Sequence, residues 1–280
     1  MLSLEDLDTI QAYQTALPGT TTWKLRLLEL VTTACHDIAV YLFQMDDGVH
    51  KHAEHEAWRE HKLETLPEDD VMGRKQLPPP TLFWTGAYID WSHYPNGLAD
   101  MAGYWAEMQL FGGVVLFDRG ESEKECNGVY VHNPRYTTIA PPTEAQFKDI
   151  VELFLSESPD YDRCPLPIEV TSENKWRWDA YDARTKYHIF KHRHDIPNGP
   201  RPRRKDVITD NTWPEVIDHY KLAGQDPESG PYDEAENARA RERIAVTISP
   251  NSRLWETFKD DIARLQPDEK RQGRPPYFFD

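Results

Sequence analysis

Several things are scarce or missing in this chain of 280 residues, and each absence narrows the field. It has three cysteines, Cys35, Cys126 and Cys164, widely spaced and without a CxxC pair, so neither a disulfide framework nor a cysteine zinc site is expected. No run of about 18 apolar residues occurs, which excludes a membrane-spanning helix of the usual kind. The opening MLSLEDLDTIQAYQT is acidic and lacks the basic and apolar regions of a secretory signal, and the expected location is the cytoplasm. Positive charge is in short supply. The formal charge of −16 disfavours nucleic acid or an anionic membrane as partner, since both require a positive field. Walker A, GxGxxG, GxSxG and EF-hand patterns are all missing, which disfavours nucleotide-dependent redox, kinase and serine-hydrolase chemistry. The expectation is therefore no cofactor.

What is present points to a folded chain. Aromatic residues make up 11% and charged residues 29%, and the length suffices for one large core. Leu4, Leu7 and Ile10 predict a short helix over 3–16 that Pro18-Gly19 stops. Leu28, Val31, Cys35, Ile38 and Leu42 predict a longer helix over 22–44 with one buried stripe. Residues 49–63 read as a solvated helix, and 65–80 as a proline-rich connection. A β-rich part is expected from 81 to 140. Then Thr143-Glu-Ala-Gln146 forms a capping box for a helix carrying Phe147, Ile150, Val151 and Phe154. Beyond a linker at 158–171, Trp176, Ala180, Ala183, Tyr187 and Phe190 repeat at helical spacing and predict one long helix. Helices are also expected after Thr212 and over 236–244 and 251–265, with a strand at 244–248. The fold class is α+β: one domain of 1–280, with an antiparallel sheet or small barrel packed by helices from both ends. The part from about 172 could stand as a subdomain.

The chemistry centres on the stretch Gly97–Gly120. Gly112-Gly113 between two apolar runs predicts a hairpin with a two-residue turn. That register puts Tyr104, Ala106, Met108, Leu110, Val115 and Phe117 on a core face. Glu107 then opposes Asp118 on the other face, beside Trp105. Opposed carboxylates share a proton or a cation, so this pair suits acid–base catalysis. Glu107, Asp118 and His132 are the candidate catalytic residues, with Tyr104, Trp105, Arg119 and Asp100 as substrate-binding ones. A three-residue loop would put Glu107 and Asp118 on opposite faces. Two histidine clusters offer metal-binding alternatives: His52, His55 and Glu56, and His188, His192 and His194, where His188 and His192 stand i, i+4 on the long helix. The bland readings are surface histidines and a helix C-terminus. The basic run at 200–205 reads as a solvated loop.

The run from Tyr94 to His132, YPNGLADMAGYWAEMQLFGGVVLFDRGESEKECNGVYVH, resembles a group of uncharacterised fungal proteins, some encoded among genes for small-molecule biosynthesis. The resemblance implies an intracellular fungal protein of secondary metabolism and carries over no catalytic residue. Two functions are expected on these grounds. The first is a cofactor-independent enzyme, of lyase, isomerase, cyclase or hydrolase type, acting on a small organic molecule. The second is a non-enzymatic binding or scaffold protein. Homo-oligomerisation is open in either case.

Overall fold

Helix α2, Thr21–Met45, and helix α4, Leu98–Phe111, lie against each other and carry the middle of the molecule. This is a computed structural model that describes residues 4–45, 53–67, 77, 79–200, 212–224 and 232–265. The fold is α+β, as expected from the sequence, with small antiparallel sheets and no closed barrel among the described residues. No described helix is long and apolar enough to cross a membrane.

The expected hairpin is not formed. Leu98–Phe111 is a helix, and Gly112 caps its end with φ 79°, the left-handed conformation that suits glycine after a helix. The stretch is rich in Leu, Ala, Met, Glu and Gln, all good helix formers. Asp100, Tyr104, Glu107 and Phe111 bury one helical face. The two glycines answer to crowding. A Cβ on Gly112 would lie 2.6 Å from the Ile168 carbonyl oxygen, and one on Gly113 2.6 Å from the Val131 side chain. Gly113 leads straight into strand β1, Val114–Asp118. Glu107 consequently does not face Asp118, and Leu110 of the supposed core face is 47% exposed.

Strand β1 is central. It pairs antiparallel with β2, Val129–His132, from Val114↔His132 to Phe117↔Val129, and with β5, Ile189–Phe190, through Phe117↔Phe190 and Asp118↔Ile189. Successive β1 side chains enter different cores, as the two-residue period of a strand requires. Val115 and Phe117 pack with Leu25 and Leu28 of α2 and with Phe147, Ile150 and Val151 of α5, Glu144–Leu155. Val114 and Leu116 join Tyr88, Tyr104, Tyr130, Trp176 and Trp178. The capping box of α5 forms as the sequence predicts: Gln146 N donates to Thr143 Oγ1 at 3.2 Å, and Thr143 N to Gln146 Oε1 at 2.8 Å.

Helix α1, Leu4–Thr15, and helix α3, Ala53–Thr65, agree with expectation. The expected β-rich part from 81 begins instead with turns and irregular chain over 81–91. The long helix over 172–190 is replaced by three short pieces. Trp178–Asp179 is strand β4, paired with β3, Thr138–Ile139. Asp179 then caps α6, Ala180–Lys186, accepting from Tyr181 N and Asp182 N. His188, at φ 53°, turns the chain into β5. The helical spacing of apolar residues there did mark burial: Trp176, Ala180, Ala183 and Phe190 are all in the core. Toward the C-terminus come α7, Glu215–Leu222, α8, Glu234–Thr247, and α9, Lys259–Leu265. Helix α8 runs through most of the expected strand at 244–248. Ile244, Ala245, Ile248, Leu254, Phe258 and Ile262 form a core of their own there.

Helix α2 also turns a different face inward. Leu25, Leu28, Glu29, Thr32, His36 and Val40 are buried, whereas Ile38 and Leu42 are 58% and 60% exposed. Gly103 makes room for this arrangement, since a Cβ there would lie 2.5–2.7 Å from three atoms of the His36 ring. That ring is pinned by hydrogen bonds, so it cannot move aside cheaply. Gly103→Ala gains helix propensity of about 1 kcal/mol but incurs overpacking of about 1–3 kcal/mol. A net loss of up to about 2 kcal/mol is expected on chemical denaturation. A variant more stable than the parent would contradict the contact.

Candidate functional site

The α2–α4 interface is polar at its centre. Glu107, 0% exposed, accepts from His36 Nδ1 at 2.7 Å and from Val115 N at 3.1 Å, and forms an ion pair with the Lys191 ammonium. His36 Nε2 reaches Asp100 Oδ1 at 3.4 Å, and Asp100 also accepts from Asn96 N at 2.7 Å and Asn96 Nδ2 at 3.0 Å. Burial favours the neutral acid at Glu107. The Lys191 charge and the His36 hydrogen bond outweigh it and hold the carboxyl below its ordinary range. Burial and Lys191 oppose a charge on His36, yet its two carboxylate partners outweigh them and raise the imidazole pKa.

A second carboxylate, Asp195, lies beside this group. It accepts from the Tyr104 hydroxyl, from Lys191 N at 2.9 Å and from His192 N at 2.8 Å. Its pKa is held far down, against burial, by His192, His194 and Lys191. These contacts fasten the short 3-10 turn Arg193–Asp195 to the middle of α4.

Of the residues named from sequence, three are built into this interior. Glu107, Asp100 and Tyr104 are buried and fully engaged there. Asp118 sits at the far end of β1 from Val115, where Glu107 binds, and accepts from Gly120 N at 2.9 Å. His132 is buried, with its Nδ1 2.9 Å from the Tyr88 hydroxyl. Desolvation, followed by the Arg184 charge, takes its pKa down to about 3, so the ring is neutral when it shares a hydrogen bond with that hydroxyl. Trp105 is half-buried against Phe83 rather than lining a site with Glu107.

The histidine clusters do not assemble into metal sites among the described residues. His52 lies outside the described residues, as do residues 201–205. His55 Nε2 is 2.9 Å from the Pro79 carbonyl, and Glu56 is half-buried beside it in α3. His188 Nδ1 is 2.9 Å from the Gly120 carbonyl, so it does not share a helix face with His192. His192 and His194 stack, with ring centroids 5.0 Å apart. Cys126 is buried, and its thiol pKa is pushed well up by that burial and by Glu29, which makes it inert.

Two of the residues named from sequence, Arg119 and His192, open onto a cleft of about 460 Å³. Its walls are α1 (Asp8, Thr9, Ala12), α2 (Arg26, Glu29, Thr33), the turn Ser122–Lys124 and the segment Phe190–Arg193. Glu29 is the hub of its floor. One oxygen takes the Arg119 guanidinium, and the other accepts from Arg26 Nη1 at 2.8 Å. Arg119 also donates from Nε to Phe190 O at 3.0 Å and from Nη2 to Lys191 O at 2.5 Å, and Arg26 from Nη2 to Lys124 O at 2.6 Å. Lys191 joins the two polar groups, with its backbone on the cleft wall and its ammonium on Glu107. Sequence reasoning passed over Arg26, Glu29, His36 and Lys191. The one local signal was the i, i+3 pair of Arg26 and Glu29. No family model matches the chain, and neither a curated protein nor a solved structure is significantly similar to it.

Proposed function

We propose that the protein is a cofactor-independent enzyme that performs acid–base chemistry on a small organic molecule held in the cleft between α1, α2 and the β1–β2 turn. The observation that carries this reading is the cleft itself: about 460 Å³, of a size that suits a metabolite, over a floor of buried, hydrogen-bonded charges. Such a floor is preorganised, so its field acts without first being rearranged. Glu107 and Asp118 are poor candidates for proton transfer at this place, since Glu107 is sealed in the interior and neither lines the cleft. His192 does line it, and imidazole is the side chain suited to moving protons near neutrality. We assign it the acid–base role and Arg119 a binding role. The resemblance of residues 94–132 to fungal proteins, some of them encoded among genes for small-molecule biosynthesis, is in keeping with a metabolite as substrate.

The test is turnover. Pools of small organic molecules are incubated with the purified protein and followed by mass spectrometry. His192→Gln should lower turnover of any converted compound by at least about 100-fold, the usual scale of a lost acid or base, while leaving its binding nearly unchanged. Equal turnover by that variant would remove His192 from the chemistry, and turnover surviving Ala12→Trp, which fills the cleft, would remove the cleft.

One observation favours the second reading, a non-enzymatic binding or scaffold protein. Ile38, Tyr41, Leu42 and Met45 stand together on the outward face of α2, each 58–61% exposed. On that reading the protein self-associates through this face. Sedimentation would show a dimer that Leu42→Glu dissociates, and a monomer at every concentration would count against it.

A further inference from the structure

Among the described residues, the cleft floor holds more positive charge than the carboxylates around it neutralise. Four cationic side chains line the cleft, Arg26, Arg119, Lys124 and Arg193, against the three carboxylates Asp8, Glu29 and Glu123, while Lys191 presents its backbone there. Two of these cations have carboxylates of their own, and the Lys191 ammonium is answered outside the cleft. Lys124 reaches Asp8 at 3.8 Å, Arg193 pairs with Glu123, and Lys191 pairs with Glu107 behind the wall. Among the described residues Arg26 and Arg119 share Glu29. Asp118, next in the chain to Arg119, turns to Gly120 N and does not line the cleft.

This imbalance sits largely out of water. Arg26, Arg119 and Glu29 are 8%, 7% and 1% exposed. An unbalanced charge in such a place is costly, and a counter-ion that reaches it is held correspondingly well. Donors are in surplus as well as charge. A guanidinium has five N–H groups. Among the described residues Arg119 directs three of them to Glu29, Phe190 O and Lys191 O, and Arg26 directs two to Glu29 and Lys124 O. The rest of the protein works the other way. A chain of formal charge −16 repels anions at a distance, so attraction for one here is a property of this floor alone.

We propose that the small molecule held in the cleft carries an oxyanion, a carboxylate or a phosphate ester, which seats against Arg26 and Arg119. This rests on the reading of the cleft as the small-molecule site. Oxyanions match the planar fork of a guanidinium, and their hydrogen bonds to it are charge-assisted. A neutral group of the same shape would leave the extra positive charge unanswered.

Matched probes test it: benzoate, phenyl phosphate, inorganic phosphate and the neutral benzamide, each titrated at constant ionic strength into the full-length protein. Amide NMR shifts of Thr33, Gly120 and Ser122 report on the cleft. Benzoate or phenyl phosphate should move these signals and benzamide should not, and whichever anion binds more tightly identifies carboxylate or phosphate as the natural group. Arg26→Gln should weaken that binding by about tenfold or more, the effect of losing one charge-assisted contact. Should that variant fail to fold, Ala12→Trp retains both arginines, fills the space and should abolish the shifts. Equal binding of benzamide and benzoate at the cleft overturns the oxyanion and leaves the cleft as a small-molecule site. Shifts confined to other surfaces, or none from any probe, overturn both.

Discussion

Lys191→Met should lower stability by about 3–5 kcal/mol, the cost of leaving one member of a buried ion pair without its partner. The ammonium of Lys191 and the carboxylate of Glu107 are both fully out of solvent. Removing the cation strands a carboxylate that keeps hydrogen bonds from His36 and Val115 but loses its nearest positive charge. Methionine fills nearly the same volume, so little of the loss can be ascribed to packing. The contact of the ammonium with the Tyr104 ring, 5.7 Å from the centroid, goes as well. The effect should be strongly non-additive. Glu107→Gln alone leaves the ammonium stranded, whereas Lys191→Met with Glu107→Gln removes both charges and should recover at least half of the single-variant loss. Urea denaturation of the four proteins reads this directly. A Lys191→Met protein within about 1 kcal/mol of the parent would mean that water reaches Glu107, contrary to its burial. Because the Lys191 backbone accepts from Arg119 at the cleft, the same substitution should also loosen the cleft floor.

That pair also shows where sequence reasoning could and could not reach. The capping box at Thr143 was legible because its partners are three residues apart and the interaction needs nothing else. Helices α1 and α2 were legible from apolar spacing and α3 from its helix-forming composition, and strand β2 falls within the expected β-rich part. The stretch 98–111 was not. Gly-Gly after an apolar run marks a helix end as readily as a hairpin turn, and the buried face of α4 is broken up by Asp100 and Glu107, which mask its periodicity. Their partners come from far away: His36 stands 71 residues from Glu107, and Lys191 84. The same distance effect misled the reading of α2. Its inward face carries Glu29, Thr32 and His36, so the apolar stripe ending in Ile38 and Leu42 pointed to the wrong side. Of the candidate site residues, Arg119 lines the cleft, and so does His192 from the second histidine cluster. The strand before Arg119 could be read locally, but the cleft needs α1, α2 and the 190–193 segment together, and no local pattern announces that meeting.

Stability should trace a dome against pH, with its crest near the ordinary pKa of imidazole, because two buried histidines bend it in opposite directions. His132 titrates at about 3 in the fold against 6.5 ordinarily. Between those values the unfolded chain binds a proton that the native state refuses, so stability rises with pH through this window. From pH 7 down to pH 5 this one residue should remove about 2 kcal/mol, at 1.36 kcal/mol per pH unit below the unfolded pKa. His36 has the opposite sign. Its native pKa is raised, so its contribution is complete below about 6.5 and is lost as pH climbs through the folded value. The depressed carboxyls Glu107, Asp100 and Asp195 steepen the acid side further, since their contributions disappear as pH falls below the unfolded carboxyl range. Two variants separate the limbs. His132→Asn should lower stability at pH 7, where the Tyr88 hydroxyl loses its acceptor geometry, yet flatten the profile between pH 5 and 7. His36→Gln should flatten the profile above pH 7 and leave the slope between 5 and 6 in place. If the His132→Asn protein keeps the parent's full slope from pH 5 to 7, the buried neutral imidazole is not its source. If stability rises steadily from pH 6 to 9, the charge on His36 does not hold α2 to α4.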